Sequence, residues 1–228
     1  VLMEESETEE TYVDVVDGVQ IDCGLTSTNF VTNTEKHTCE LDNPLIFTCS
    51  SEIPNVRKIQ NILEHVIKSN RSLLIVAPVA QSVKAALMMN KVKGNIKVNI
   101  IDPPGFGPTK KDAIDDLAIL TGATVLNEEL GDDLDLMKPE HLGEAEFAVT
   151  SDKDTVLTLE GMTEGIEGRI DELNKKLAEE KNGFIKKKLE QRLATLSGSV
   201  GIIKVGAGSK VELKEKKDRV EDAIYATK

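Results

Sequence analysis

The stretch from Asn55 to Leu126 alternates helical and extended patterns, and this alternation constrains the fold more than any other feature. Apolar residues recur at helical spacing from Asn55 to Lys68, and the continuous apolar run Ser72–Ala77 follows. A second helical pattern around Val83 to Val92 precedes the extended segment Ile96–Ile101. Continuous apolar runs are typical of strands covered on both faces. The alternation therefore predicts an α/β fold with a mixed or largely parallel sheet flanked by helices.

The patterns after this stretch predict elements that complete one large domain. A loop rich in proline and glycine at residues 103–107 leads to a helix, and two long helices with charged outer faces form an αα-hairpin joined at Lys181–Gly183. The predicted ranges are a helix near Lys110 to Thr121, a strand Thr124–Leu126, a β-hairpin over Glu146–Glu160 that turns at Lys153 and Asp154, helices over Ile166–Leu177 and Ile185–Leu196, a strand Val200–Val205 and a helix from near Lys214.

The sequence patterns at both ends of the chain are not those of natural ends. The acidic run Glu4–Glu10 stands where a signal sequence would need basic and then apolar residues. The final helical pattern reaches Lys228 without a stop signal. Between them, the β-prone segment Tyr12–Val16 is broken by Asp17 and Gly18. We therefore expect a piece of a longer protein.

Composition argues against two classes of function. The net charge of −12, the 3% aromatic content and the absence of Trp disfavour nucleic-acid binding, which uses basic surfaces and aromatic stacking platforms. The longest apolar runs are far shorter than a bilayer span. The three cysteines, Cys23, Cys39 and Cys49, are widely spaced with no CxxC pair, so we expect free thiols in a reducing compartment.

Two loops, Gly105–Gly107 and Gly206–Gly208, are candidates for phosphate binding. Neither completes GxGxxG or GxxxxGKS/T, and neither plainly links a strand to a helix N-terminus in the way these motifs require, so we interpret both as turns. His37, His65 and His141 lie far apart without HExxH spacing, so no metal site is predicted. A Ser–His–Asp arrangement stays open, although the sequence has no GxSxG turn.

The first helical pattern has more apolar positions than one buried face requires. These positions are Val56, Ile59, Ile62, Leu63, Val66 and Ile67. In the second helix, Met88 and Met89 supply flexible, polarizable side chains that adapt to varied apolar partners. The surplus fits either additional core or an exposed groove for apolar ligands, and spacing alone leaves both interpretations open.

Several segments, in the same order along the chain, resemble the group I chaperonins (the 60 kDa, GroEL-like family). The segment Tyr12–Asp22 is similar to the family segment that leads into the apical domain. The other similar segments are residues 104–107 (PGFG), Leu117–Gly122 (LAILTG), Ile203–Ala207 (IKVGA), Val211–Lys217 (VELKEKK) and Arg219–Ala223 (RVEDA). The run from Ile203 onward is the most specific of these, and the similarity covers nearly the whole chain.

The resemblance implies the chaperonin apical-domain fold together with a small α+β remnant of the intermediate domain. Residues 17–198 would form the apical domain, which binds substrate and co-chaperonin. Residues 1–16 and 199–228 would form the two parts of the intermediate domain, and the equatorial ATP-binding domain would be absent. Gly18 and Gly198 match the positions of the apical hinge.

The resemblance also implies a function. Family members are ATP-driven rings that capture non-native polypeptides on apolar apical grooves, fold or refold them and are capped by a co-chaperonin. The full-length parent would be an ATPase using ATP and Mg²⁺, in the bacterial cytoplasm or in the matrix or stroma of a mitochondrion or plastid. We expect this piece alone to be monomeric, to need no cofactor and to lack ATPase activity, while binding non-native polypeptides and the co-chaperonin mobile loop.

Individual positions carry these implied roles. Those matching apolar substrate- and co-chaperonin-binding positions of the family are Leu25, Phe30, Leu63, Met88 and Met89. Asp222 matches the aspartate that supports ATP hydrolysis in full-length members.

Other positions depart from the family. Asn29, Gln60 and Lys84 stand where large apolar residues are usual, so we expect a narrower and wetter groove. The alignment of Lys84 needs a one-residue gap. Cys23 and Lys210 replace an oppositely charged pair that bridges neighbouring subunits in bacterial members, which puts that contact in doubt.

Two other functions stay open at this point. One is a small α/β enzyme that binds a phosphorylated substrate at the Gly105 or Gly206 loop. The other is a divergent chaperonin paralogue with a partner-binding role, which the polar substitutions suggest. Suppression of aggregation without nucleotide would separate a chaperone from the enzyme, and capture of a co-chaperonin mobile loop would separate a folding subunit from the paralogue.

Overall fold

The computed structural model describes residues 2–6, 8–105, 107–128, 131–159, 161 and 165–227. Phe106, part of the PGFG motif, lies outside the described residues. The chain divides into two compact units, one of Val1–Gly18 with Ser199–Lys228 and one of Val19–Gly198. The two chain crossings thus fall directly after Gly18 and Gly198, whereas the sequence analysis places the boundaries after residues 16 and 198.

Within the described residues the fold is mixed α/β, with two mixed sheets and six α-helices, which agrees with the predicted α/β class. The helices are α1 Gln60–Ser69, α2 Gln81–Val92, α3 Pro108–Thr121, α4 Ile166–Glu179, α5 Gly183–Leu196 and α6 Lys210–Thr227. The strands are β1 Leu2–Glu5, β2 Tyr12–Ile21, β3 Cys39–Asp42, β4 Leu45–Thr48, β5 Ser72–Val76, β6 Lys97–Ile101, β7 Gly143–Glu144, β8 Phe147–Thr150, β9 Thr155–Thr158 and β10 Ser199–Val205. The strand orders are β1-β10-β2-β9-β8-β3 and β6-β5-β4-β7.

The four-stranded sheet is the centre of the larger unit. Its strands β4, β5 and β6 are parallel neighbours, as the alternating pattern predicts, and β7 runs antiparallel to β4. Side chains of successive residues point to opposite faces, so Phe47 and Ile75 enter one hydrophobic cluster and Ile46 and Leu74 enter another. Burial on both faces explains why these strands have continuous apolar sequences.

Helices α1 and α2 cover the first face of this sheet. Each buries a stripe of apolar residues four apart, Ile62 with Val66 on α1 and Val83 with Leu87 on α2. Asn70 ends α1 in the left-handed conformation with φ 52°, which asparagine tolerates better than most residues.

Helices α3, α4 and α5 lie in the cluster on the other face. Leu117 of α3, Leu173 of α4 and Leu189 of α5 are buried there. The predicted αα-hairpin is confirmed, with three residues between α4 and α5. The predicted β-hairpin is also confirmed, because β8 and β9 pair antiparallel around a turn closed by Thr150 and Thr155.

The smaller unit contains β1, β10, the first part of β2 and α6. Strand β1 is parallel to β10, and β10 is antiparallel to β2. The sequence analysis missed β1, because acidic residues dominate its surroundings and its partner lies about two hundred residues away. Lys204 of β10 forms an ion pair with Glu4 and so neutralises the charge of one of these acidic side chains.

Some predicted ranges were wrong. Residues 124–126 do not form a strand, because only Leu126 makes an isolated bridge, to Cys49. Helix α3 begins two residues before the predicted start, with Pro108 in its first turn, and α6 begins four residues early at Lys210. In the described part of the chain, no helix has the length and apolar character needed to cross a bilayer.

Candidate functional site

Helices α1 and α2 lie side by side on one face of the central sheet. Each connects two neighbouring parallel strands, and such crossovers are right-handed, which places consecutive helices on the same face. Their buried residues, including Ile62 and Leu87, also share one hydrophobic cluster. Two parallel helices supported in this way leave a groove between their facing flanks.

Lys91 shows which flank of α2 faces away from α1. Its ammonium donates hydrogen bonds of 3.1 Å to the carbonyl oxygens of Asn29 and Val31, so this flank faces the 3₁₀ turn Thr28–Phe30. Met88 precedes Lys91 by three residues and lies on the same flank. Met89 is about 160° around the helix axis from both Lys91 and the buried Leu87, so it points outward from the sheet, on the side of α2 nearer to α1.

Asn61 shows which flank of α1 faces away from α2. Its side-chain amide donates to the carbonyl oxygen of Asp135 at 3.0 Å, so this flank faces the 3₁₀ turn Leu134–Leu136. Leu63 and Ile67 lie about 200° and 240° around the axis from Asn61 and therefore point towards α2.

We name the surface formed by Leu63, Ile67 and Met89 the α1–α2 groove. Ile67 is 52% exposed and Met89 is 61% exposed, while Leu63 is half-buried against the core. Val92 lies on the outer crest of α2 and is 77% exposed. Large apolar side chains exposed together on a soluble surface are typical of a binding site.

The structure divides the five predicted binding residues among three environments. Leu63 and Met89 line the α1–α2 groove. Met88 and Leu25 are half-buried and pack against the core cluster, Met88 on the opposite flank of α2. Phe30 is fully buried, with the Lys91 ammonium 5.7 Å from its ring centroid. Burial lowers the pKa of Lys91.

Ile67 and Val92 are exposed residues of this surface that the sequence analysis did not assign to a site. Ile67 belongs to the wide apolar arc of α1, so its exposure could be inferred once Ile62 and Val66 are placed in the core. No feature of the sequence indicated that Val92 is exposed, because a β-branched residue at the end of a helix can equally well be buried.

The three polar departures from the family do not lie together on this surface. Asn29 is exposed in the turn beside α2. The side-chain amide of Gln60 donates to Glu64 at 2.8 Å, and the Lys84 ammonium lies 3.5 Å from the Asp102 carboxylate. Lys84 precedes Lys91 by two helical turns, so it lies, like Asn29, on the side of α2 that faces away from α1. Of the three departures, only Gln60 borders the α1–α2 groove.

Both glycine loops join a strand to a helix in the described structure. Residues 102–107 connect β6 to α3, and residues 206–209 connect β10 to α6. At the second loop, Gly206 donates to the hydroxyl of Thr11, and a Cβ atom on Gly208 would lie 3.6 Å from a carboxylate oxygen of Glu9. A carboxylate beside the loop repels phosphate, so this environment disfavours an anion.

The remaining predicted residues are placed individually. Asp222 is exposed on α6, and Lys210 is the exposed first residue of that helix. The three cysteines are free thiols, and burial raises the pKa of Cys23 to about 12 and that of Cys39 and Cys49 to about 11. These pKa values disfavour a thiolate nucleophile.

Within the described ranges, no group of three His, Cys, Asp or Glu residues is arranged to hold a metal ion. Comparison of the chain with models of known protein families finds none that matches.

Proposed function

We propose that the chain is the apical, polypeptide-binding module of a chaperonin-like protein and that it captures non-native polypeptides in the α1–α2 groove. The observation that supports this most directly is the exposure of Ile67 and Met89 on neighbouring sides of two parallel helices. A net charge of −12 favours solubility, and exposed apolar side chains such as Ile67 and Met89 work against it. The apolar exposure is better explained by a ligand that covers it.

The chemistry of the groove suits a ligand without a fixed shape. Non-native polypeptides share exposed apolar side chains but no common structure, so their receptor gains from burial of apolar area rather than from precise contacts. Methionine adapts its shape because it is unbranched and polarizable. The polar pair of Gln60 and Glu64 on α1 narrows the apolar strip, which should weaken binding relative to a fully apolar groove.

The wider assignment belongs to the same proposal. The unit Val19–Gly198 would have the chaperonin apical-domain fold, and the smaller unit would be part of an intermediate domain. Gly18 and Gly198 would act as the hinge between them, and Asp222 would support ATP hydrolysis in a full-length parent that binds ATP and Mg²⁺. A glycine beside each chain crossing supports the hinge, because glycine adopts backbone conformations that other residues resist.

Suppression of aggregation tests the proposal. The chain without nucleotide would be mixed with a chemically unfolded protein diluted into buffer, and light scattering would be followed. The groove variant combines Leu63→Ser, Ile67→Ser and Met89→Ser. The matched control combines Val15→Ser, Leu136→Ser and Val211→Ser, three exposed apolar positions outside the groove.

We expect the native chain and the control variant to suppress scattering equally, and the groove variant to lose most of the effect. Circular dichroism would verify that both variants are folded. Equal suppression by the groove variant would show that the groove is not the binding site. No suppression by the native chain would reject polypeptide binding altogether.

A further inference from the structure

A second apolar cavity lies in the larger unit, on the face of the sheet opposite to the α1–α2 groove. It is a cleft of about 550 Å³ between the end of β2, residues 104–105, and helices α3 and α5. Its apolar floor includes Ile21, Ile114, Leu117 and Leu189. A volume of this size is within the range of small-molecule binding sites.

The rim of this cleft has exposed apolar side chains. Phe184 and Ile185, in the first turn of α5, are 69% and 43% exposed. The Lys188 ammonium lies 5.0 Å from the centroid of the Phe184 ring, which holds the aromatic side chain beside the opening. An aromatic ring at the mouth of an aliphatic cavity offers stacking area to a ligand that enters it.

The wall between α3 and α5 is rigid. Asp116 of α3 is buried at the wall and accepts hydrogen bonds from Arg192 of α5 at 2.6 and 2.9 Å. Arg169 of α4 donates to the same carboxylate at 3.0 Å. A network of charge-assisted bonds from three helices keeps the cleft open in a defined shape.

The charged groups around the cleft favour an uncharged ligand. Arg192 also pairs with Asp112 at 3.1 Å, so the two lining aspartates of α3 are compensated by arginines. The other lining charges, Lys188 and Asp22, have opposite sign. With Arg169 behind the wall, the three acidic and three basic groups sum to zero charge. An ionic ligand would therefore lose hydration without a dedicated counter-charge.

We propose that this cleft binds small, uncharged, apolar molecules with an aromatic or aliphatic body, independently of polypeptide binding in the α1–α2 groove. The cleft and the groove use different helices and opposite faces of the sheet. The inference does not depend on the proposed chaperone function.

The test uses N-phenyl-1-naphthylamine, an uncharged dye that becomes fluorescent in apolar surroundings. Ala113 of α3 lines the cleft, so Ala113→Phe would fill it. Ala85→Phe on α2 is the matched control, since it places the same ring at an exposed helical position elsewhere. Phe184→Ala removes the exposed ring at the rim and should fold even if the filled variant does not.

We expect saturable, one-to-one dye binding that weakens at least tenfold in Ala113→Phe, several-fold in Phe184→Ala and not at all in Ala85→Phe. The Leu63, Ile67 and Met89 serine variant should bind the dye normally. The anionic analogue 8-anilinonaphthalene-1-sulfonate should bind at least tenfold more weakly than the uncharged dye. Unchanged binding in both cleft variants, or stronger binding of the anion, would overturn the proposal.

Discussion

Arg192 and Asp116 form a bidentate ion pair, with Nε 2.6 Å from Oδ2 and Nη2 2.9 Å from Oδ1. The pair joins α5 to α3 and is reinforced by Arg169 of α4. The Asp116 side chain is only 7% exposed, so water solvates its carboxylate little, and the two guanidinium groups supply its polar contacts. One carboxylate of α3 therefore fixes both helices of the αα-hairpin, through arginines 53 and 76 residues further along the chain.

Removal of this carboxylate should destabilise the larger unit. Asp116→Ala leaves two partly buried guanidiniums without their shared partner, and breaking a buried pair in this way costs about 3–5 kcal/mol. Asp112→Ala removes a half-exposed partner of the same Arg192, so its cost should be below about 1 kcal/mol. The free energy of unfolding from urea titration measures both. Equal effects would show that burial of Asp116 does not govern the network.

The sequence predicted the sheet and the hairpin of helices but could not predict this network. Apolar spacing is a local property, so α4 and α5 could be inferred from Ile166, Leu173 and Leu189 alone. The pairing of Asp116 with Arg192 depends on the register between two helices about 76 residues apart. Strand β1 was missed for the same reason, because its partner β10 is remote in sequence.

The groove shows the same limit. The wide apolar arc of α1 indicated surplus apolar area, but it could not tell which positions face α2. Contacts of Asn61 and Lys91 with neighbouring turns were needed to orient each helix. Phe30 could be matched to a binding position only by resemblance, and its complete burial follows from packing that no local pattern reveals.

Phe30 and Met89 should therefore respond differently to truncation. Phe30→Ala should lower the free energy of unfolding by about 3–5 kcal/mol, because a fully buried ring leaves a cavity. Met89→Ala should change it by less than about 0.5 kcal/mol, because the side chain is mostly exposed. Urea unfolding of the two variants checks this contrast. A large loss for Met89→Ala would place Met89 in the core instead of the groove.

Lys91 should hold the 3₁₀ turn Thr28–Phe30 against α2. Lys91→Ala removes two hydrogen bonds to backbone carbonyls and the contact with the Phe30 ring, at a cost of about 1–3 kcal/mol. Amide hydrogen exchange should become faster in residues 28–31. Lys93→Ala, an exposed lysine two positions away, should leave both stability and exchange unchanged.

The buried thiols should be unreactive in the folded chain. Burial raises the pKa of Cys39 and Cys49 to about 11, so few thiolates form at pH 8. A disulfide reagent should modify them slowly until urea unfolds the protein. The raised pKa also makes stability depend on pH. The stability that the protonated thiol contributes is fully present below the ordinary thiol pKa of 9.0. It is lost as pH rises through about 11, because the thiols of the unfolded chain ionise at lower pH than those of the folded chain. Stability that rose above pH 9 would contradict this.

Methyl NMR with labelled methionines tests the central claim most directly. Met88 and Met89 lie on the two flanks of α2, Met137 is 3% exposed in the core and Met3 belongs to the other unit. A permanently unfolded, reduced and carboxymethylated protein would be added as the ligand. The proposal predicts that the Met89 methyl signal broadens or shifts most and Met88 less, while Met137 and Met3 stay unchanged. Binding that leaves the Met89 signal unperturbed would contradict the assignment of the α1–α2 groove as the polypeptide-binding site.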